Sequence, residues 1–370
     1  MSDLVRPTVA TQRLISKLLR LMLAGDTDSA TALLATRADE ADNLCRQLER
    51  SRLGGYFYLL ASELPLHDYL PASGIAAIEA SAAQQVARAS RCRALLTTID
   101  QQLTDAGIPY LVIKGLYLAQ RFFGGMDKRF MWDVDILVQP HDLHLAVHAL
   151  ARADLHPRAS ARFDPRSPAW GIHAIEVRGD AGAVDIHHTL RRLPGIQFDM
   201  ARMRENAGTF TVDGVEYRTL SDLDTLLAVA VGLGTDIRTG RHNLKKTWDL
   251  FMILRALDPG TDWDTFFAGR DTEGSLKLVL NVLSFCLLVL EARDDCPRLA
   301  QALDQRQRLL LVETAEQAMT ISQRPRRSLA NRLLFSRLLP ISLARYWTGW
   351  AVTVPARLWY YRKPTKRGTH

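Results

Sequence analysis

Apolar and polar positions alternate with a helical period at both ends of the chain. Residues 1–80 space their apolar side chains about 3.6 positions apart, which predicts helices. A longer helix is predicted from Ser81 to Ala106, ended by Gly107. Helices resume at Leu220, where Ser221 is placed to cap the first of them. The stretch "GTDIRTGRHN" that follows reads as a polar loop that could face a ligand.

The central part of the chain instead alternates short β-branched runs with short helices. "IPYLVIKG" and "DVDILV" predict strands, and "LYLAQRFF" and "HDLHLAVHALARA" predict helices. "HAIEVRG" and "AVDIHHTL" predict a hairpin whose second strand carries Asp185 and His187 on one face. The pattern therefore divides the chain into a helical region (1–95), an α/β core (96–215), a second helical region (216–323) and a tail (324–370).

Composition indicates a globular protein in a reducing compartment. The 370 residues are 47% hydrophobic and 24% charged, values that exclude wholesale disorder. The four cysteines are scattered with no CxxC pair, which disfavours a zinc site or a disulfide framework. The first apolar stretch interleaves basic residues with leucines, unlike a secretion signal, so a cytoplasmic location is expected. The most apolar segment, Leu276 to Ala292, is interrupted by polar residues and predicts a buried helix.

Positive charge is concentrated in the tail. Residues 324–370 hold 11 Lys and Arg and no Asp or Glu, whereas the rest holds 36 basic and 40 acidic residues. The tail also contains seven aromatic residues: Phe335, Tyr346, Trp347, Trp350, Trp359, Tyr360 and Tyr361. Three interpretations stay open: a basic helix packed on the acidic body, contact with an anionic membrane surface that would make the protein peripheral, or contact with nucleic acid.

Two aspartates interrupt an apolar strand in "MWDVDILV". Asp133 and Asp135 are two positions apart and share one face of the strand. Two carboxylates held so close repel each other unless a cation intervenes. Mg²⁺ takes oxygen ligands and is commonly held by one or two carboxylates together with substrate phosphates. The pair therefore suggests a metal clamp, with an edge strand that has one wet face as the alternative.

Other residues near this strand fit phosphate and metal chemistry. Lys114 and Gly115 join a strand to a helix, where free N–H groups and a lysine suit a phosphate. Arg129 precedes Asp133 by four residues and suits phosphate or the carboxylates. Asp185 is a candidate third carboxylate. The alternatives are an ordinary strand-to-helix turn, a solvated loop arginine and a hairpin edge.

These residues together resemble a known signature. "KGLYLAQRFFGGMDKRFMWDVDILV" is similar to the motif of the uncharacterised nucleotidyltransferase group of the polymerase-beta-like superfamily. Seven residues fall on that motif without a gap: Lys114, Gly115, Arg129, Asp133, Asp135, Leu137 and Val138. "VDIHHTL" resembles a later segment of the family, and "LKKTWDLFMIL" its helical continuation with Trp248 and Asp249. Most enzymes of the wider superfamily carry Gly-Ser where this chain has Lys-Gly.

The resemblance, which spans roughly residues 85–260, implies an α+β fold. A small mixed-sheet nucleotidyltransferase core would be flanked by N-terminal and C-terminal helical regions. It also implies transfer of a nucleoside monophosphate from an NTP to an acceptor hydroxyl by a mechanism with two Mg²⁺ ions. The acceptor would be a small molecule, a peptide or a protein, as in natural-product or polysaccharide biosynthesis. An RNA acceptor, or a non-catalytic nucleotide-binding protein of the same fold, is the alternative.

The resemblance further implies roles for individual residues. Asp133, Asp135 and Asp185 would be catalytic and would hold the metal ions. Lys114 and the backbone of Gly115 would bind the phosphates, and Arg129 would neutralise developing charge. A final candidate, His187, would orient Asp185 or contact the nucleotide, or else be a buried histidine satisfied by the backbone.

Overall fold

The computed structural model describes residues 9–157, 174–190, 196, 198–240, 243–323 and 330. Within these residues the chain forms fifteen α-helices: α1 (Val9–Leu23), α2 (Thr27–Ala35), α3 (Ala41–Ser51), α4 (Gly54–Leu60), α5 (Leu66–Tyr69), α6 (Ala72–Asp105), α7 (Gly115–Phe122), α8 (Leu143–Ala151), α9 (Met200–Glu205), α10 (Asp222–Thr239), α11 (Leu244–Leu257), α12 (Trp263–Thr272), α13 (Leu276–Val289), α14 (Pro297–Asp304) and α15 (Ala315–Gln323). The predicted basic tail, 324–370, lies outside the described residues except for Ala330.

The strands form one mixed sheet. They are β1 (Tyr110–Ile113), β2 (Val134–Val138), β3 (His156–Pro157), β4 (Ala174–Gly179), β5 (Gly182–His187), β6 (Gly208–Val212) and β7 (Val215–Thr219), in the order β3-β4-β5-β2-β1-β7-β6. The β2–β5 and β1–β7 pairs are parallel, and the other pairs are antiparallel. Helices at both ends of the chain and a mixed sheet between them confirm the predicted α+β fold.

The β6–β7 hairpin was not predicted from the sequence. Its two-residue turn is Asp213-Gly214, and both residues have positive φ, 50° and 83°. A type I′ turn requires positive φ at both central positions, which is why Asp-Gly between alternating residues favours a hairpin. The signal was therefore present in "GTFTVDGVEYRT".

Two helices differ from their predicted bounds. Helix α6 begins at Ala72 rather than Ser81, because buried Ile75 and Ile78 continue its apolar face toward the N-terminus. The polar loop predicted over 234–243 is wrong for 234–239, since α10 runs to Thr239; positions 241 and 242 lie outside the described residues. A Cβ at Gly234 would lie 2.9 Å from Leu278 and 3.0 Å from Val282. Gly234 thus permits α10 to pack closely against α13 rather than ending the helix.

The chain divides into two compact units. Among the described residues, one unit contains 9–90, 118–130 and the part from 226 to 323, and the other contains 91–117 and the part from 131 to 225. The first unit is helical, and its core includes the buried side chains of Trp248, Phe57 and Phe285. The second unit contains the whole sheet.

The predicted buried helix is confirmed as α13 in the helical unit. Its residues from Leu278 to Val289 are all buried. Its one buried amide, Asn281, donates to the carbonyls of Lys277 and Leu309 at 2.8 and 3.0 Å. Among the described residues, no helix has both the length and the apolar character needed to cross a membrane. The four cysteines are buried, and none of them forms a disulfide bond.

Glycine is required at the end of β4. A Cβ at Gly179 would lie 2.2 Å from the carbonyl oxygen of Asp154, an atom of the backbone that cannot rotate away. We expect Gly179→Ala to lower the free energy of unfolding by about 1–3 kcal/mol, measured by urea denaturation. The matched control is Gly208→Ala, whose Cβ would meet nothing within 4 Å. Equal losses in the two variants would contradict this account of Gly179.

Candidate metal centre

The pairing of β2 with β5 brings two carboxylates to the same position in the sheet. In this parallel register Asp135 lies directly opposite Asp185. His187, two residues after Asp185 on β5, is on the same face. Asp135 and His187 are buried, with 8% and 1% of their surface exposed, whereas Asp185 is half-buried. Two acidic side chains and one imidazole therefore converge in the interior of the sheet unit.

These three side chains have the spacing of a metal site. One ligand atom from each of Asp135, Asp185 and His187 lies within 4.8 Å of the other two. Carboxylate oxygens suit Mg²⁺ and Mn²⁺, and an imidazole nitrogen suits Mn²⁺ and later transition metals. The donor set fits a divalent cation. It differs from the predicted set in containing His187, and Asp133 is not one of its members.

Lys114 contacts two of the three ligands. Its Nζ donates to Oδ1 of Asp135 at 2.6 Å and lies 3.1 Å from Nε2 of His187. The same Nε2 lies 2.8 Å from Oδ1 of Asp135. A ring nitrogen either donates to the carboxylate or accepts from the ammonium, so the tautomer of His187 selects one contact. The antiparallel pairing of β1 with β2 sets Ile113 opposite Asp135 and so positions Lys114.

The backbone of Lys114 is in the left-handed region, with φ of 54°. Lysine rarely adopts this conformation, which costs of the order of 1 kcal/mol or more and is concentrated at functional sites. The residue lies between the end of β1 and the start of α7. The conformation thus occurs at the one strand-to-helix connection that the sequence had singled out.

The two carboxylates differ in their response to this environment. Burial alone would raise the pKa of Asp135, but the Lys114 ammonium and His187 hold it well below its usual range. Burial and the negative charges of Asp135 and Asp133 raise the pKa of Asp185 to about 7. The attraction of the Lys114 ammonium does not offset these effects at Asp185, and a bound metal ion would relieve them.

Two further predicted residues lie close to this group. Asp133 is half-buried and comes directly before β2. Gly115 is the first residue of α7, and a Cβ there would meet only ordinary contacts, the nearest at 3.6 Å to the carbonyl oxygen of Asp133. Packing within the protein therefore does not require glycine at position 115.

Arg129 lies in the helical unit, where it forms a buried ion pair. Its Nε and Nη2 donate to the two oxygens of Asp249 at 2.8 and 3.0 Å. Lys245, one turn earlier on α11, donates to the same carboxylate at 2.8 Å. Two cations thus share one carboxylate. Burial alone would raise the pKa of Asp249, but Arg129 and Lys245 lower it to about 2; burial, together with Arg129, lowers the pKa of Lys245 to about 8.

The structure therefore separates the predicted site residues into two sets. Lys114, Asp135, Asp185 and His187 come together, with Asp133 and Gly115 at the adjoining chain segments. Arg129 instead pairs with a residue 120 positions later in the chain. Arg129, Lys245 and Asp249 form this second cluster. The sequence offered one local signal for it, the Lys-x-x-x-Asp spacing of Lys245 and Asp249 on a predicted helix. His187 had a signal as a ligand too, because it is two residues from Asp185.

Comparison with known proteins supports the resemblance seen in the sequence. A family model described as uncharacterised nucleotidyltransferase matches residues 37–291, more than half of the chain. This match confirms the inferred family. The comparison with curated proteins gives no match.

Asp185 is expected to make the metal-free protein less stable as the pH rises. Its pKa of about 7 exceeds the ordinary value of 3.8, so the folded state binds a proton that the unfolded state has released. Stability attributable to this group is therefore present below about pH 4 and is lost between about pH 4 and 7. In chelator, Asp185→Asn should be more stable than the wild type at pH 8 by about 2–4 kcal/mol, and by less at pH 5.

Urea denaturation at the two pH values measures this difference. Asp180→Asn is the matched control, because Asp180 is exposed at the turn of the same hairpin. A difference between the wild type and Asp185→Asn that stays constant from pH 5 to pH 8 would contradict the assignment.

Asp249 is expected to be essential to the stability of the helical unit. Asp249→Asn removes the carboxylate to which the buried cations Arg129 and Lys245 both donate, and breaking a buried ion pair costs about 3–5 kcal/mol. Asp304→Asn, which removes an ion pair with Arg293 at the surface, should cost less than about 1 kcal/mol. Chemical denaturation of both variants compares the two losses, and similar losses would argue against the buried network.

Proposed function

Because the chain belongs to the uncharacterised nucleotidyltransferase family, we propose that it transfers a nucleoside monophosphate from an NTP to a hydroxyl group. The acceptor is a small molecule, a peptide or a protein, and the reaction depends on Mg²⁺. The observation that carries the proposal is the juxtaposition of Asp135, Asp185 and His187 on two parallel strands. Membership of the family alone supports the fold. The juxtaposition of these three side chains supports metal-dependent chemistry in this chain.

The acidic residues would supply the negative charge that holds the metal ions. Two Mg²⁺ ions, when bound, would stabilise the entering and leaving oxygens of an in-line displacement at the α-phosphorus. Asp135 and Asp185 are the ligands best supported by geometry, with His187 as a third. Asp133 lies near enough to raise the pKa of Asp185, which supports its inclusion as a further carboxylate. We assign the catalytic role to these three aspartates.

Lys114 and Gly115 are proposed to bind the phosphates. Lys114 has 21% of its side chain exposed, and its ammonium contacts Asp135. The amide of Gly115 begins α7, and helix N-termini favour anions. Protein packing does not demand glycine at this position. An approaching phosphate would give a reason for that choice.

Arg129 is proposed to attract negative charge together with Lys245. Both cations donate to the carboxylate of Asp249. Arginine and lysine also bind phosphate oxygens through charge-assisted hydrogen bonds. Contact of residues 324–370 with an anionic membrane surface, and a cytoplasmic location, stay predictions from the sequence.

Transfer of label tests the proposed reaction. The protein is incubated with each of the four NTPs, labelled at either the α- or the γ-phosphate, with Mg²⁺ or Mn²⁺ and with candidate acceptors that include hydroxylated small molecules, peptides and RNA. We expect α-label, but not γ-label, to reach a non-RNA acceptor, with release of pyrophosphate. Loss of a ligand that stabilises charge by several kcal/mol should lower the rate about 100-fold or more in Asp135→Asn and Asp185→Asn.

Asp180→Asn, an exposed change on the hairpin that carries Asp185, should leave the rate unaltered. Transfer of γ-label would contradict nucleotidyl transfer and indicate phosphoryl transfer instead. Label found in RNA alone would contradict the proposed class of acceptor. Transfer that survives Asp135→Asn together with Asp185→Asn would remove the metal assignment.

A further inference from the structure

One side chain occupies the position of a cation within the candidate metal centre. The Nζ of Lys114 is 2.6 Å from Oδ1 of Asp135 and 3.1 Å from Nε2 of His187. Both residues belong to the three whose ligand atoms lie within 4.8 Å of one another. The ammonium therefore contacts one oxygen and one nitrogen that are possible ligand atoms of a metal ion.

An ammonium group and a divalent ion compete for such ligands. Both are positive, and they repel strongly at separations of a few ångströms in a buried environment. The Nε2 lone pair of His187 also cannot serve a metal ion while it accepts from Lys114 or carries a proton shared with Asp135. Binding of a metal ion by Oδ1 of Asp135 and Nε2 of His187 thus requires Lys114 to leave.

Lys114 has a route away from these ligands. Its side chain is a flexible four-carbon stem with a compact charge, and 21% of it is exposed. Its backbone is held between β1 and α7 with φ of 54°, so the Cα stays beside the centre while the head group turns. The next residue is Gly115, whose amide would bind a phosphate.

We propose that Lys114 takes the place of the metal ion in the metal-free protein and that metal binding transfers its ammonium from Asp135 to the phosphates of the nucleotide. This inference depends on the proposed function, because it assumes a metal ion and an NTP at this centre. Lys114 then weakens the binding of metal alone and strengthens the binding of nucleotide once metal is present. Metal and nucleotide therefore bind cooperatively.

Metal affinity without nucleotide tests the first half of the inference. Free Mn²⁺ is measured by electron paramagnetic resonance during titration of the wild type, Lys114→Met and Lys114→Gly. A neighbouring charge changes the affinity of a site for a proton by about 10- to 1,000-fold, so both variants should bind Mn²⁺ about tenfold or more tightly than the wild type. Lys17→Met, a change at an exposed lysine of α1, should leave the affinity unaltered.

The two substitutions separate charge from backbone strain. Both remove the ammonium, but only glycine also relieves the left-handed conformation at position 114. Equal tightening in both variants identifies the charge as the cause. Unchanged or weaker Mn²⁺ binding in both folded variants would overturn the inference, as would tightening in the glycine variant alone.

Nucleotide affinity tests the second half. A non-hydrolysable α,β-methylene analogue of the NTP is titrated at saturating Mn²⁺, and Lys114→Met should bind it more weakly than the wild type by about tenfold or more. The same titration in chelator should show little difference between the two proteins. Equal affinities of the wild type and Lys114→Met for the analogue at saturating Mn²⁺ would overturn the transfer of the ammonium to the phosphates.

Failure of this inference is distinguishable from failure of the proposed function. If Mn²⁺ binding is lost in Asp185→Asn but does not tighten in Lys114→Met, the metal site stands and the role of Lys114 is wrong. If Asp135→Asn and Asp185→Asn bind Mn²⁺ as the wild type does, the proposed metal centre itself is wrong. Label transfer from α-labelled NTP decides the reaction independently of either binding result.

Discussion

Repulsion between two carboxylates governs the centre of the sheet unit. Asp135 and Asp185 are directly opposite each other across β2 and β5, and like charges in that position destabilise a sheet unless a cation lies between them. Lys114 neutralises Asp135, and the consequence is an asymmetric pair: the pKa of Asp135 is lowered while that of Asp185 is raised to about 7. One positive charge, that of Lys114, thus lies beside two carboxylates.

The same physics acts in the opposite sense in the helical unit. Asp249 is a single buried carboxylate between Arg129 and Lys245. Arg129 and Lys245 lower its pKa to about 2, and burial together with Arg129 lowers the pKa of Lys245 to about 8. The ion pairs thus keep Asp249 charged although it is buried.

The order of the strands in the sheet brings the residues of the candidate metal centre together. Three strands contribute to it: β1 ends next to Lys114, β2 carries Asp135, and β5 carries both Asp185 and His187. Because β2 lies between β1 and β5, the charged residues of separate chain segments meet at one place without any long loop. Burial of β2 on both faces keeps water from screening the charges. Rigid strands, rather than loops, therefore hold the candidate ligands.

Local patterns in the sequence determined the helices at both ends, the strand–helix order of the core and the Asp-x-Asp and Asp-x-His spacings, since each depends only on neighbours a few residues away. The Asp-Gly hairpin was equally local, although it was not predicted. Tertiary structure alone decided that Asp135 faces Asp185, that Lys114 contacts both Asp135 and His187, and that Arg129 pairs with Asp249 across 120 residues. Strand register and helix packing set these contacts. They depend on burying complementary surfaces over the whole chain, and no local spacing encodes which distant partner is chosen.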